Sequence, residues 1–214
     1  KMSETNSIVA EQFDDAEQQH SVATLGMWTF LATEVLFFGG LFLAYAVYRH
    51  AYSDAFAVAS QHTHIIFGTL NTAILLTSSL TMALAVAAAK EGNAKSISRW
   101  LLATIVFALG FLVVKGFEYH SEIGERLLPG ANFSHELPEH AEIFFYLYWV
   151  MTGLHALHII IGIGLLGVMT WLARRGKFSA AYHNPVEVSG LYWHFVDIVW
   201  IFLYPLLYLI GHHA

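Results

Sequence analysis

Apolar residues run along this chain in five long blocks separated by short polar stretches. The blocks cover about 25–48, 64–89, 99–121, 141–173 and 187–210, and each reaches the roughly 20 predominantly apolar residues that a helix needs to cross a bilayer. The pattern predicts an all-α protein, an integral membrane bundle of five transmembrane helices. No stretch alternates apolar and polar positions as a membrane β-strand does. The fourth block is longer than a bilayer requires, which predicts tilt or an end that extends into water. The longest polar connection, His120 to His140, holds Pro129, Gly130 and Pro138 and reads as a surface loop. Residues 1–24 read as a flexible acidic tail, with Asp14, Asp15 and Glu17, ahead of a transmembrane domain at 25–214.

Composition sharpens this picture. Only 12% of the 214 residues are charged and 57% are hydrophobic, against roughly 25% charged in an average soluble chain, so a water-soluble fold has too little polar surface. The chain has no Cys, which removes disulfide scaffolds, thiolate metal sites, iron–sulfur clusters and Cys nucleophiles. The net charge of -6 is local to the amino-terminal tail and to the segment from Glu122 to Glu142, and nucleic acid is not an expected partner. No basic head with a short apolar run and a small-residue cleavage site marks a removable signal peptide. Five spans put the termini on opposite sides. Lys1, Lys90, Lys95, Arg99, Arg174, Arg175 and Lys177 fall on the amino-terminal side, against Arg49, Arg126 and Lys115 on the other, so the positive-inside rule predicts a cytoplasmic amino terminus and an external carboxyl terminus.

Gly162-Ile-Gly164-Leu-Leu-Gly167 matches the dinucleotide-binding fingerprint letter for letter. That fingerprint needs a preceding strand and a free helix start for pyrophosphate. Here it lies inside a spanning block, whose amides must be tied up in helical bonds. Small residues that let helices pack closely are the better reading.

Ionisable residues inside the blocks cost a few kcal/mol each at membrane depth and ask for a partner or a purpose. Glu34 and Asp197 each lie about 14 Å in from the amino-terminal side at about 1.5 Å of rise per residue, and His155 and His158 enter from the other side to a similar level. His155 and His158 are i,i+3 on one helix, a spacing that His194 and Asp197 repeat on the last. Together they predict a midplane network of Glu34, His155, His158 and Asp197, with His194 close by. Such a network can pin helix register, carry a proton-linked role, or ligate a metal or haem through an i,i+3 His pair. Lys115 and Glu118 form a second intramembrane pair at i,i+3, and Lys115 is also able to snorkel outward. Arg174 and Arg175, with Lys177, are a topology signal, or else a site for a lipid phosphate.

The residues carry a family resemblance. Leu25-Gly-Met-Trp-Thr-Phe-Leu-Ala-Thr-Glu34-Val-Leu-Phe-Phe-Gly resembles the start of the third helix of cytochrome c oxidase subunit III, with its glutamate at Glu34. Leu70-Asn71-Thr72 and Glu118-Tyr119 are similar to the next two segments. Gly153-Leu-His155-Ala-Leu-His158-Ile-Ile-Ile-Gly162 resembles the paired-histidine helix, and Tyr192-Trp193-His194-Phe195-Val196-Asp197-Ile-Val-Trp200, preceded by Glu187, the carboxyl-terminal motif. Seven-helix members carry two helices ahead of this pattern, so the chain resembles the five-helix bacterial form. The resemblance implies a subunit without redox centre or catalytic residue of its own, in a haem–copper terminal oxidase that reduces O2 to water and pumps protons. It implies packing against the catalytic subunit I, support of proton uptake, bound phospholipid, haem and copper in the partner subunits, and a place in the bacterial inner membrane, within reach of a respiratory supercomplex. Three other readings stay open: a stand-alone proton or ion carrier, a haem-carrying subunit using His155 or His158, and an accessory of a nitric oxide reductase.

Overall fold

The computed structural model describes residues 15–130, 133, 134, 136–180 and 182–209. Six α-helices follow one another: α1 Ala16–Ala51, α2 Ser53–Gln61, α3 Ile65–Lys90, α4 Ala94–Gly124, α5 Ala141–Arg174 and α6 Asn184–Tyr204. A π-helical turn, Pro205–Leu209, prolongs α6, because Pro205 has no N–H for the α-helical ladder and the bonding slips by one residue. Five of these helices are long and apolar enough to cross a membrane, and the described residues contain no strand, only an isolated bridge between Ser179 and Tyr182. Both features match the five-block pattern.

The differences lie at the ends of the blocks. Residues 1–14 of the expected tail lie outside the described residues, but 16–24 are the first turns of α1, not a flexible tail. Asp15 caps that helix, its carboxylate accepting the N–H of Gln18 at 2.7 Å. Likewise α4 begins before its apolar block, capped by Asn93 accepting from Ser96, and ends beyond it at Gly124. Glu122, read as part of the polar loop, is therefore helical. The short α2 has five apolar residues of nine and is too short to register as a spanning block. It buries Phe56 edge-on against Tyr45 and Phe144, with ring centroids 5.5 Å apart in both pairs.

Helix α6 sits on α3, α5 and α1, α4 packs between α3 and α5, and α1 leans on α5 and α6 at the edge. Close approach of α5 and α6 needs Gly162, where a Cβ would stand 2.6 Å from the Trp193 ring. At Gly164 and Gly167 a Cβ would meet nothing within 4 Å, so only the first glycine of the Gly-rich run is a packing glycine. Outward faces are apolar: Leu36 is 76% exposed and Ile66 77%, as lipid- or subunit-facing positions are when no hydrophobic penalty separates them from their surroundings. The chain is a multi-pass membrane protein.

Candidate functional site

Among the described residues, two regions of the interior pair a carboxylate with a basic side chain. The first joins α1 to α5. His158 Nε2 lies 3.1 Å from Glu34 Oε2, and both side chains are largely covered. The His158 Nδ1 faces the Leu154 carbonyl at 2.8 Å. A carbonyl only accepts, so Nδ1 carries a hydrogen, and the Glu34–His158 bond holds one further proton between carboxyl and imidazole. Phe38 closes over the ring edge-on at 5.2 Å, and the Tyr192 hydroxyl donates to the His158 carbonyl at 2.9 Å, tying in α6.

The other predicted members do not join this pair. His155 is fully buried, but the 60° that separates i and i+3 on a helix turns it away from α1. It lies between the rings of Phe111 and Trp200, at 5.5 and 5.1 Å, and neither ring nitrogen has a hydrogen-bond partner among the described residues. His194 bonds Ser79 through Nδ1 at 2.8 Å, and the buried carboxyl of Asp197 lies beside the same Ser79. These two belong to the α3–α6 seam, where Trp193 donates to Ser78 at 3.0 Å and Trp200 to Thr72 at 3.1 Å. The expected four-residue network is thus one pair plus separate groups, because shared depth does not make side chains converge. Among the described residues no three His, Asp or Glu side chains gather as a metal site does.

The second region is where α4 ends, α5 begins and the π turn arrives. Lys115 and Glu118 pair at 3.0 Å, as their i,i+3 spacing predicts, yet Lys115 does not snorkel. Its ammonium turns inward, donating to the hydroxyls of Tyr148 and Tyr208 at 2.7 Å each, 4.5 Å from the centre of the Tyr148 ring. Tyr208 reaches Glu118 Oε1 at 2.7 Å, and Tyr148 lies within reach of Glu118 Oε1, at 2.9 Å, and of Glu122 Oε1. All five side chains are at most 2% exposed. Three of them, Glu122, Tyr148 and Tyr208, were not singled out from the sequence. The stripe 115, 118, 122 at helical spacing carried a signal for Glu122; the tyrosines come from other elements and carried none.

At the opposite end of the bundle, Arg174 Nε donates to Ser98 Oγ at 3.1 Å, and the Arg175 guanidinium lies 3.8 Å over the Trp171 ring. Both residues remain exposed, and Lys90 pairs with Glu187 at 3.1 Å.

The model of the family described as cytochrome c oxidase subunit III matches residues 7–212. Cytochrome c oxidase subunit 3 of Thermostichus vulcanus is 32% identical over 198 residues, 92% of each chain. That of Alkalihalophilus pseudofirmus is 30% identical over 188 residues, 87% of this chain and 86% of the other. Cytochrome bo(3) ubiquinol oxidase subunit 3 of Pseudomonas putida is 27% identical over 192 residues, 89% of this chain and 86% of the other. With a match that runs through all five spans and both polar regions, the chain belongs to the cytochrome c oxidase subunit III family and is an accessory part of a multi-subunit haem–copper oxidase.

Proposed function

We propose that this chain is the non-catalytic subunit that keeps the catalytic subunit I of a haem–copper terminal oxidase intact while O2 is reduced to water and protons are pumped. The haem and copper belong to the partner subunits, and electrons arrive from cytochrome c or a quinol. The observation that carries this reading is the family match over nearly the whole chain. The interior chemistry agrees with it, because its bonded ionisable side chains tie helix to helix: Glu34 to His158 between α1 and α5, and Lys115 to Tyr148 and Tyr208 between α4, α5 and the π turn.

In this reading the Glu34–His158 pair, with its one shared proton, supports proton uptake by the complex. Arg174 and Arg175, exposed beside Trp171, hold a phospholipid phosphate, the guanidinium supplying the charge and the indole the interfacial anchor. The chain sits in a bacterial inner membrane with its amino terminus cytoplasmic and its carboxyl terminus outside. The test is removal of the chain from the purified oxidase. Initial O2 consumption should persist while activity decays faster during turnover, and adding the chain back should restore the slow decay. Equal decay with and without it contradicts the role.

A further inference from the structure

The cluster at the end of α4 needs more hydrogen than its side chains hold in their ordinary charged forms. Six hydrogen-bond distances of 3.0 Å or less link it: Lys115 to Glu118, Tyr148 and Tyr208, Tyr148 to Glu118 and Glu122, and Tyr208 to Glu118. An ammonium supplies three hydrogens and each phenol one, so five hydrogens face six contacts. Tyr148 is where the shortage falls, since its single hydrogen cannot serve both Glu118 Oε1 and Glu122 Oε1. Charge gives the same answer. One ammonium and two carboxylates would leave a net negative charge among side chains that are at most 2% exposed, and an uncompensated buried charge is strongly unfavourable.

We propose that this cluster is a proton-binding site, with the proton on Glu122, which donates as a carboxylic acid to the Tyr148 oxygen. The Tyr148 hydrogen then goes to Glu118 Oε1. Glu118, accepting from both tyrosines and from Lys115, is the one carboxylate, and the cluster is neutral. Every short contact now has one hydrogen, and Tyr148 accepts two bonds and donates one. Glu122 Oε2 makes no hydrogen bond among the described residues, as suits the carbonyl oxygen of an acid more than half of a charged carboxylate. The other titratable groups nearby are already engaged or turned away. Tyr119 bonds Thr152 at 2.7 Å, Glu125 lies 3.5 Å from His64, and His155 lies between Phe111 and Trp200.

The test is infrared difference spectroscopy on the purified complex carrying this chain, wild type against Glu122→Gln. An amide of the same shape replaces an acid without changing charge, so the variant should enter the complex at the wild-type level. The difference spectrum should show loss of one carboxylic-acid C=O band that shifts in D2O, with the carboxylate bands unchanged. Loss of a carboxylate band instead overturns the proposal. So does retention of every acid C=O band in Glu122→Gln; if that variant fails to enter the complex, because its second amide N–H is buried without a partner, Glu118→Gln carries the test. In Glu118→Gln, Glu122 becomes the sole counter-charge to Lys115, so the same acid band should disappear while the number of carboxylates stays the same, Glu122 taking the place of Glu118. Persistence of that band in this variant also contradicts the assignment.

Discussion

Where α4 ends, Lys115, Glu118, Glu122, Tyr148 and Tyr208 close a ring of short hydrogen bonds, whereas nearer the middle of the bundle Glu34 and His158 make one bond between them and His155 makes none among the described residues. Both regions use carboxylates with a basic partner. They differ in convergence. Three elements aim side chains at Lys115, so a fully desolvated ammonium finds three acceptors. The midplane groups point to different seams: Glu34 and His158 to α1–α5, His194 and Asp197 to α3–α6, and His155 to the aromatic contact of Phe111 with Trp200. Burying a charge demands a closed set of partners, while a group able to be neutral tolerates isolation better, and the two regions divide along that line.

The largest effect should come from breaking the closed cluster. Lys115→Met leaves Glu118 as an uncompensated buried charge and should cost about 3–5 kcal/mol, read as loss of the chain from the complex or a fall in its thermal midpoint. Adding Glu118→Gln to that variant should recover much of the loss, since the two sites act as a unit. Next is the α5–α6 contact. Gly162→Leu drives a side chain into Trp193 and should cost about 1–3 kcal/mol, whereas Gly164→Ala should be neutral or slightly stabilising, which thermal unfolding of the two variants compares directly.

Glu34→Ala removes one partner of a largely covered pair and should cost on the order of 1–3 kcal/mol, with faster decay of oxidase activity during turnover. Normal assembly and normal decay would remove Glu34 from both the structural and the proton-linked role. The smallest effects should be at the separated groups. His155→Phe replaces a ring that makes no hydrogen bond and should cost less than about 1.5 kcal/mol. Glu34→Ala and Asp197→Asn should add within about 0.5 kcal/mol in a double-mutant cycle, and a larger coupling would restore the single midplane network.

These contrasts also show what was legible in the sequence. Long apolar blocks name spanning helices because the bilayer sets their length, and the Lys115–Glu118 and Glu34–His158 pairs followed from helical spacing and from depth. Depth alone misled at His155 and Asp197, because reaching one level does not fix the direction of a side chain. Tyr148 and Tyr208 carried no signal, since nothing local distinguishes a tyrosine that donates to a buried carboxylate from one in an interfacial belt. The α2 helix is too short to read as a span and the first turns of α1 are polar enough to resemble a tail, and tertiary packing of Phe56 and the Asp15 cap make them helical.

Membership in a working oxidase is tested most directly by isolating this chain from its native membrane in mild detergent and reading the visible spectrum and O2 consumption of what accompanies it. Haem-bearing partners that oxidise cytochrome c or a quinol are the predicted result and would identify the electron donor. A colourless protein that isolates alone would contradict the account and turn attention to ion flux through the chain itself.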